Sequence, residues 1–252
     1  MKVVLLAGQG DSTWIVANAL KKHVSLANVI VENPPAFMQK IKFRLKRLGA
    51  IEVFGQLLFL VYAKFQRKIS SDRVQAILKE NNLETSVPED IDIINVASAN
   101  SETTMQILQR MNPDVVVVNG TRILSKQLLE CVSATFINMH AGITPKYRGV
   151  HGAYWALASN DSKNAGVTIH MVDQGVDTGN IIYQGYIKPT VQDNYSTYPY
   201  LQIAQGVPLL VRAVNDILEN HIETKDGKLP SCLHYHPTIW GYIYMRCMKG
   251  IK

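Results

Sequence analysis

Four short runs constrain the fold more than any other feature. Lys2–Ala7 (KVVLLA), Asn28–Glu32 (NVIVE), Asp114–Gly120 (DVVVVNG) and Ala134–His140 (ATFINMH) are apolar on nearly every consecutive position. A strand with one wet face alternates apolar and polar residues, whereas a run that is apolar throughout is buried on both faces. Such strands belong to parallel sheets, whose crossover helices lie on both faces. Helix signals fill the gaps: Trp14–Lys22 follows the turn GQGDST, and Ser101 is placed to cap a helix running to Met111. IDIINVA, introduced by Pro88 and Asp90, supplies a further strand. The expected class is therefore α/β, a mostly parallel sheet with helices on both faces and its ligand site beyond the carboxyl ends of the strands. Asn138 and His140 stand at such an end.

Beyond Gly152 the pattern changes. GVTIHMVDQGVDTGNIIYQGYI reads as two strands, antiparallel, around a glycine-rich loop. A long helix is expected near Ser196–Asn220, then a polar turn (KDGK) and a tail rich in aromatics. There are no repeats, no low-complexity tract and no long linker. One domain with a C-terminal extension is expected, interrupted at 37–68 by a helical insertion joined at Leu48–Gly49. That insertion carries Lys40, Lys42, Arg44, Lys46, Arg47, Lys64, Arg67 and Lys68, with Ile41, Leu45 and Leu48 on one face. A hairpin packed on the domain with a solvated basic face is expected. The alternative is a weak peripheral contact with a membrane.

Composition narrows the partners. The 252 residues are 47% hydrophobic and 18% charged with a formal net charge of +6, which suits a water-soluble chain that meets an anion. Cys131, Cys232 and Cys247 form no CxxC pair and read as reduced thiols, so a cytoplasmic location is expected. The apolar start MKVVLLAG is too short for a signal segment, and LLFLVYA falls below the roughly 18 residues of a spanning helix. No integral membrane contact is expected.

Three motifs invite other readings. Gly8-Gln9-Gly10 with Glu32 suggests a dinucleotide fingerprint, but Thr13 stands where the third glycine belongs. A phosphate contact from the amides around Gly10 stays open. Asp177-Thr178-Gly179 resembles half of an aspartic-protease site, which needs a second carboxylate. Cys232, His234 and His236 alternate as metal ligands on a strand would, yet lack a fourth partner, so no metal is expected.

What remains is Asn138, His140 and Asp177. An amide and an imidazole can donate to a developing oxyanion while a carboxylate accepts a proton, a set suited to attack by an amine on a carbonyl. No paired Ser or Cys nucleophile presents itself, so direct transfer is favoured over a covalent intermediate. The plainer alternative is that Asn138 and His140 cap the strand end.

FINMHAGITPKYRG followed by GVTIHMVDQGVDTGNIIYQ resembles the folate-dependent formyltransferase family, well over Asp114–Gln184 and loosely over the first strand, turn and helix. The resemblance implies the Rossmann-like formyltransferase fold, with residues 1–188 as catalytic domain and 189–252 as its C-terminal extension. It implies Asn138, His140 and Asp177 as the catalytic trio and 10-formyltetrahydrofolate as donor, held around Thr121, Arg122, Ile123, Leu124, Val172, Asp173 and Gln174. A cis proline after the histidine is usual in the family; Pro145 matches, with Thr144 in place of the usual Leu. Within the family, the tRNA enzymes carry a further barrel, for which the 68 residues after Gln184 are too few, so no nucleic acid is expected. The purine-pathway enzyme lacks the 37–68 insertion, and Asp11 would repel its phosphate. A nucleotide-linked amino sugar is therefore the expected acceptor, with Gly10, Lys146, Tyr147 and Arg148 toward its phosphates and Tyr235 or Trp240 stacking its base. Glycinamide ribonucleotide is the alternative acceptor, and a non-catalytic binding protein the alternative class. A homodimer is compatible with all of these.

Overall fold

The computed structural model describes residues 1–252; the side chain of Lys40, one of the basic residues named above, lies outside the description. The four apolar runs become β1 (Val3–Ala7), β2 (Leu26–Glu32), β4 (Val115–Asn119) and β5 (Thr135–His140), with β3 (Asp92–Val96) beyond β2. They pair in parallel in the order β3-β2-β1-β4-β5. Their alternate residues feed two cores. Val3, Leu5, Val29, Val115 and Val117 meet α1 (Asp11–His23) on one face. On the other, Val4, Leu6, Ile30, Val116 and Val118 meet α5 (Glu102–Met111). Double-sided burial is why no polar alternation marks these strands. Ser101 caps α5 as expected, its hydroxyl accepting from Thr104 N.

The sheet is extended past β5 by β7 (Gly166–Met171) and β8 (Ile181–Tyr186), both antiparallel. The long helix α8 (Tyr198–Leu218) packs on this end through Leu210, Ala213 and Val214. Shorter pieces complete the chain: α4 (Ser71–Glu80), α6 (Lys126–Leu129), the pair β6 (Arg148–Gly149) and β9 (Leu233–His234), α7 (Gly152–Ala158) and α9 (Ile239–Lys249).

The insertion is a hairpin of α2 (Phe37–Leu48) and α3 (Ala50–Ile69), broken at Gly49 as expected. α3 seats Phe59 in a third core with Tyr147, Tyr154, Tyr195, Tyr198 and Tyr242. One part of the expectation needs correction. The outward side of the hairpin is not simply a solvated basic face, because Phe43, Phe54, Val61 and Phe65 lie on it more than half exposed, and Leu45 is also exposed. Periodicity showed that the helices were amphipathic without showing how little of α2 the domain would cover. No helix among the described residues is long and apolar enough to cross a membrane.

Candidate active site

Register brings the site together. Antiparallel pairing places Asn138 of β5 directly opposite His170 of β7, and His140 opposite Thr168. The loop between β7 and β8 then returns Asp177 to the same point. Its backbone is left-handed there (φ 51), which Asp tolerates better than most residues. Two neighbours hold it: Gly149 N donates to Asp177 Oδ2 at 2.9 Å, and Arg148 Nη1 donates to Val176 O at 2.9 Å.

The hydrogen bonds fix which ring nitrogen does what. His140 Nε2 donates to Tyr147 O at 2.8 Å, leaving Nδ1 3.3 Å from Asp177 Oδ2. His170 Nδ1 donates to Met171 O at 2.7 Å, so its Nε2 accepts from Asn138 Nδ2 at 3.1 Å. The same amide reaches Asp177 Oδ1 at 3.5 Å, a much weaker contact. His140 is also positioned by glycine. A Cβ at Gly142 would stand 2.2 Å from Tyr147 O and 2.6 Å from His140 Nε2, inside the bond they share. Thr168 secures this turn, donating to Gly142 O at 2.7 Å and accepting from Thr144 N at 3.1 Å. The Thr144–Pro145 peptide is cis, as the resemblance implied.

Burial pushes His140 below the usual imidazole range, opposed by the Asp177 charge, so the ring is neutral at pH 7. Burial alone would raise the Asp177 carboxyl. The imidazoles of His140 and His170 and the Gly149 N–H outweigh it and bring the carboxyl down to about 2. With the His140 ring neutral, the Gly149 N–H still donates to Oδ2, and Asp177 is ionised at pH 7.

The trio opens on a cavity of ≈ 570 Å³ at the carboxyl ends of β4 and β5. Thr121, Arg122, Ile123, Leu124, Val172 and Asp173 line it, whereas Gln174 does not. Arg122 is not free to enter: its Nε and backbone N both donate to the buried Glu32 carboxylate at 2.6 Å. Glu32, part of the dinucleotide pattern in the sequence, thus anchors the 121–124 loop. Ile123 is 58% exposed at the mouth, an apolar edge beside polar backbone that suits a flat heteroaromatic ring.

Of the residues expected to meet the acceptor, most are turned elsewhere. Lys146 Nζ pairs with Asp161 at 2.6 Å, and the buried Tyr147 donates its hydroxyl to the same carboxylate at 2.8 Å. Arg148 is spent on the Asp177 loop, its Nε is buried without a partner, Gly10 does not line the cavity, and Trp240 covers Gly55. Tyr235 does line a cavity, a second one of ≈ 360 Å³ between α3, α7 and α9. It adjoins the first where His151, of the first wall, meets His236, of the second, at 2.9 Å. Gln56, Tyr154 and His234 contribute to the wall of this second cavity, and Gln56 Oε1, Tyr154 Oη and His234 Nε2 are buried behind it without a hydrogen-bond partner in the chain. Gln56 and Tyr154 come from segments with no chemical motif, and nothing in the sequence pointed to them. His170 was also missed, although its place opposite Asn138 follows from the antiparallel pairing. Cys232, His234 and His236 do not converge: His234 stacks on Tyr147 and Trp155 while His236 meets His151.

A family model described as "Formyl transferase" matches residues 60–214, more than half of the chain. The chain belongs to the formyl transferase family. A methionyl-tRNA formyltransferase of Clostridium tetani is 28% identical over 165 residues, covering 64% of this chain and 50% of that protein. The chain spans about half the length of the curated relatives it matches. Two solved structures share the fold. Glycinamide ribonucleotide transformylase 1 from Symbiobacterium toebii superposes with a TM-score of 0.58 at 19% identity, covering 93% of this chain and 94% of that one. The N-formyltransferase from Helicobacter canadensis, in complex with folinic acid and dTDP-3-aminofucose, gives 0.56 at 18% identity, covering 93% and 71%.

Proposed function

We propose that the protein transfers a formyl group from 10-formyltetrahydrofolate to the primary amine of a nucleotide-linked amino sugar. The donor would lie in the larger cavity against Thr121–Leu124 and Val172–Asp173. When bound, it supplies the formyl carbon: the new bond to the amine nitrogen forms, the bond to the folate nitrogen breaks, and one proton moves from the amine to that departing nitrogen. Asp177, ionised well below neutral pH, accepts the amine proton. His140 Nδ1, 3.3 Å away, shares it, because Nε2 is already committed to Tyr147 O. Asn138 donates to the carbonyl oxygen as charge builds there, exchanging its weak 3.5 Å contact with Asp177 for a charge-assisted one. His140 thus moves protons in this reading, and the oxyanion contact falls to Asn138.

The observation that carries the acceptor is the second cavity. It is walled by the rings of Trp155, His234 and Tyr235, an aromatic lining that suits a flat base. A nucleobase supplies donors, acceptors and a stacking face together. Arg47 lies over the Tyr235 ring at 5.5 Å, placing positive charge at that edge for a diphosphate. A second reading, an aminoacyl-tRNA acceptor, draws on the methionyl-tRNA formyltransferases among the relatives.

Calorimetry with nucleoside diphosphates tests the choice. Binding is expected, weakened about 5- to 150-fold by Tyr235→Ala, the range for loss of one base stack, with folate binding intact. Absence of diphosphate binding together with formylation of an aminoacyl-tRNA would overturn the sugar reading.

A further inference from the structure

The hairpin departs from the rest of the molecule in charge and in polarity. Residues 37–69 hold eight Lys or Arg against one acid, Glu52, a net +7, while the remaining 219 residues sum to −1. α3 is also apolar on its outward side. Ile51, Phe54, Leu58, Val61, Phe65 and Ile69 recur every three or four residues, which gathers them within an arc of about 80° at helical spacing. They are 77, 60, 42, 69, 65 and 68% exposed. The opposite side already serves the core through Val53 and Phe59, so the stripe is surplus to folding. Exposed Lys64 and Lys68 border it, and exposed Lys42 and Lys46 lie on α2. α9, packed on α3 through Trp240 over Gly55 and Arg246 on Tyr62, adds exposed Tyr244 and Met248. Soluble chains rarely leave so continuous an apolar stripe in water.

We propose that this face docks on an anionic lipid bilayer, the stripe entering the headgroup–acyl boundary while the lysines beside it meet lipid phosphates. A second copy of the chain fits less well, because a two-fold contact would set +7 against +7. Nucleic acid would satisfy the cations, but four of the six stripe residues, Ile51, Leu58, Val61 and Ile69, give a base neither a stacking plane nor a hydrogen bond. The docking stands on exposure and charge alone and does not depend on the reaction catalysed.

Co-sedimentation of the full chain with phosphatidylcholine–phosphatidylglycerol vesicles and with pure phosphatidylcholine vesicles tests it. Binding is expected to the anionic vesicles only, strongest at low salt and fading as salt rises. Phe54→Ser with Phe65→Ser should abolish it at every salt concentration. Lys64→Glu with Lys68→Glu should weaken it by about fivefold or more per charge changed. Both pairs lie on the surface, and an unchanged far-ultraviolet circular dichroism spectrum checks that they fold. Three outcomes overturn the proposal: no pelleting at low salt; pelleting that survives the serine pair; or a dimer in light scattering that the serine pair dissociates, which would assign the stripe to a second copy.

Discussion

Asp177 has the most buried partners of the three candidate catalytic residues, and its titration separates two contributions to the pH profile. A carboxyl held at about 2 stays ionised through the whole working range. Any rise of activity between pH 5 and 8 therefore reports the acceptor amine losing its proton, and Asp177→Asn should lower activity across that range while its residual activity keeps the same limb. Stability behaves differently. The folded value lies below the unfolded carboxyl near 4, so the stabilisation is complete above that value and is lost as pH falls from about 4 to 2. A shift of this size corresponds to about 2 kcal/mol. Urea midpoints across pH 2–5 should fall more steeply for the parent than for Asp177→Asn, and equal slopes would mean the carboxylate is not held. Gly142 permits a second test. Gly142→Ala forces a Cβ between Tyr147 O and His140, and kcat is expected to drop by about 10-fold or more as the ring loses its anchor. Steady-state kinetics on the folded variant decides this, a parent-like kcat being the adverse result.

Among the elements, the pairing of β5 with β7 does most to build the site. It sets His170 against Asn138, and His170 fixes the amide because its own Nδ1 is committed to Met171 O. His170→Phe should leave the sheet intact and release the amide, lowering kcat by about 10-fold with the donor's KM little changed; a change in KM alone would make His170 a binding residue instead. Much of this was legible beforehand. The doubly apolar runs identified the parallel strands, and the Asn138-x-His140 pair marked a strand end. The second cavity was not legible, because Gln56 and Tyr154 come from segments with no chemical motif and His234 stood out only in the Cys232, His234, His236 alternation. The pairing of Lys146 was hidden for a related reason. Lys146 looks free in KYRG, and only the tertiary position of Asp161 shows it to be paired.

Across the whole molecule, the two cavities and the basic hairpin are neighbours. Asp177 lines the larger cavity, the His151–His236 contact joins the walls of the two, and the hairpin lines the smaller through Leu48, Glu52 and Gln56. In the proposed reaction an acceptor that reaches from the Tyr235 wall to Asp177 would bind across both, and the donor would occupy only the larger. The central claim is that Asn138, His140 and Asp177 move a formyl group onto an amine. Its most direct test follows an isotopic label on the formyl carbon of 10-formyltetrahydrofolate in the presence of a panel of nucleotide-linked amino sugars. The account predicts that label appears in one acceptor as a formamide, matched mole for mole by tetrahydrofolate, and that His140→Ala slows the transfer on the order of 10²-fold or more. Label that never leaves the folate with any amine offered, or that leaves equally fast in Asp177→Asn, would contradict it.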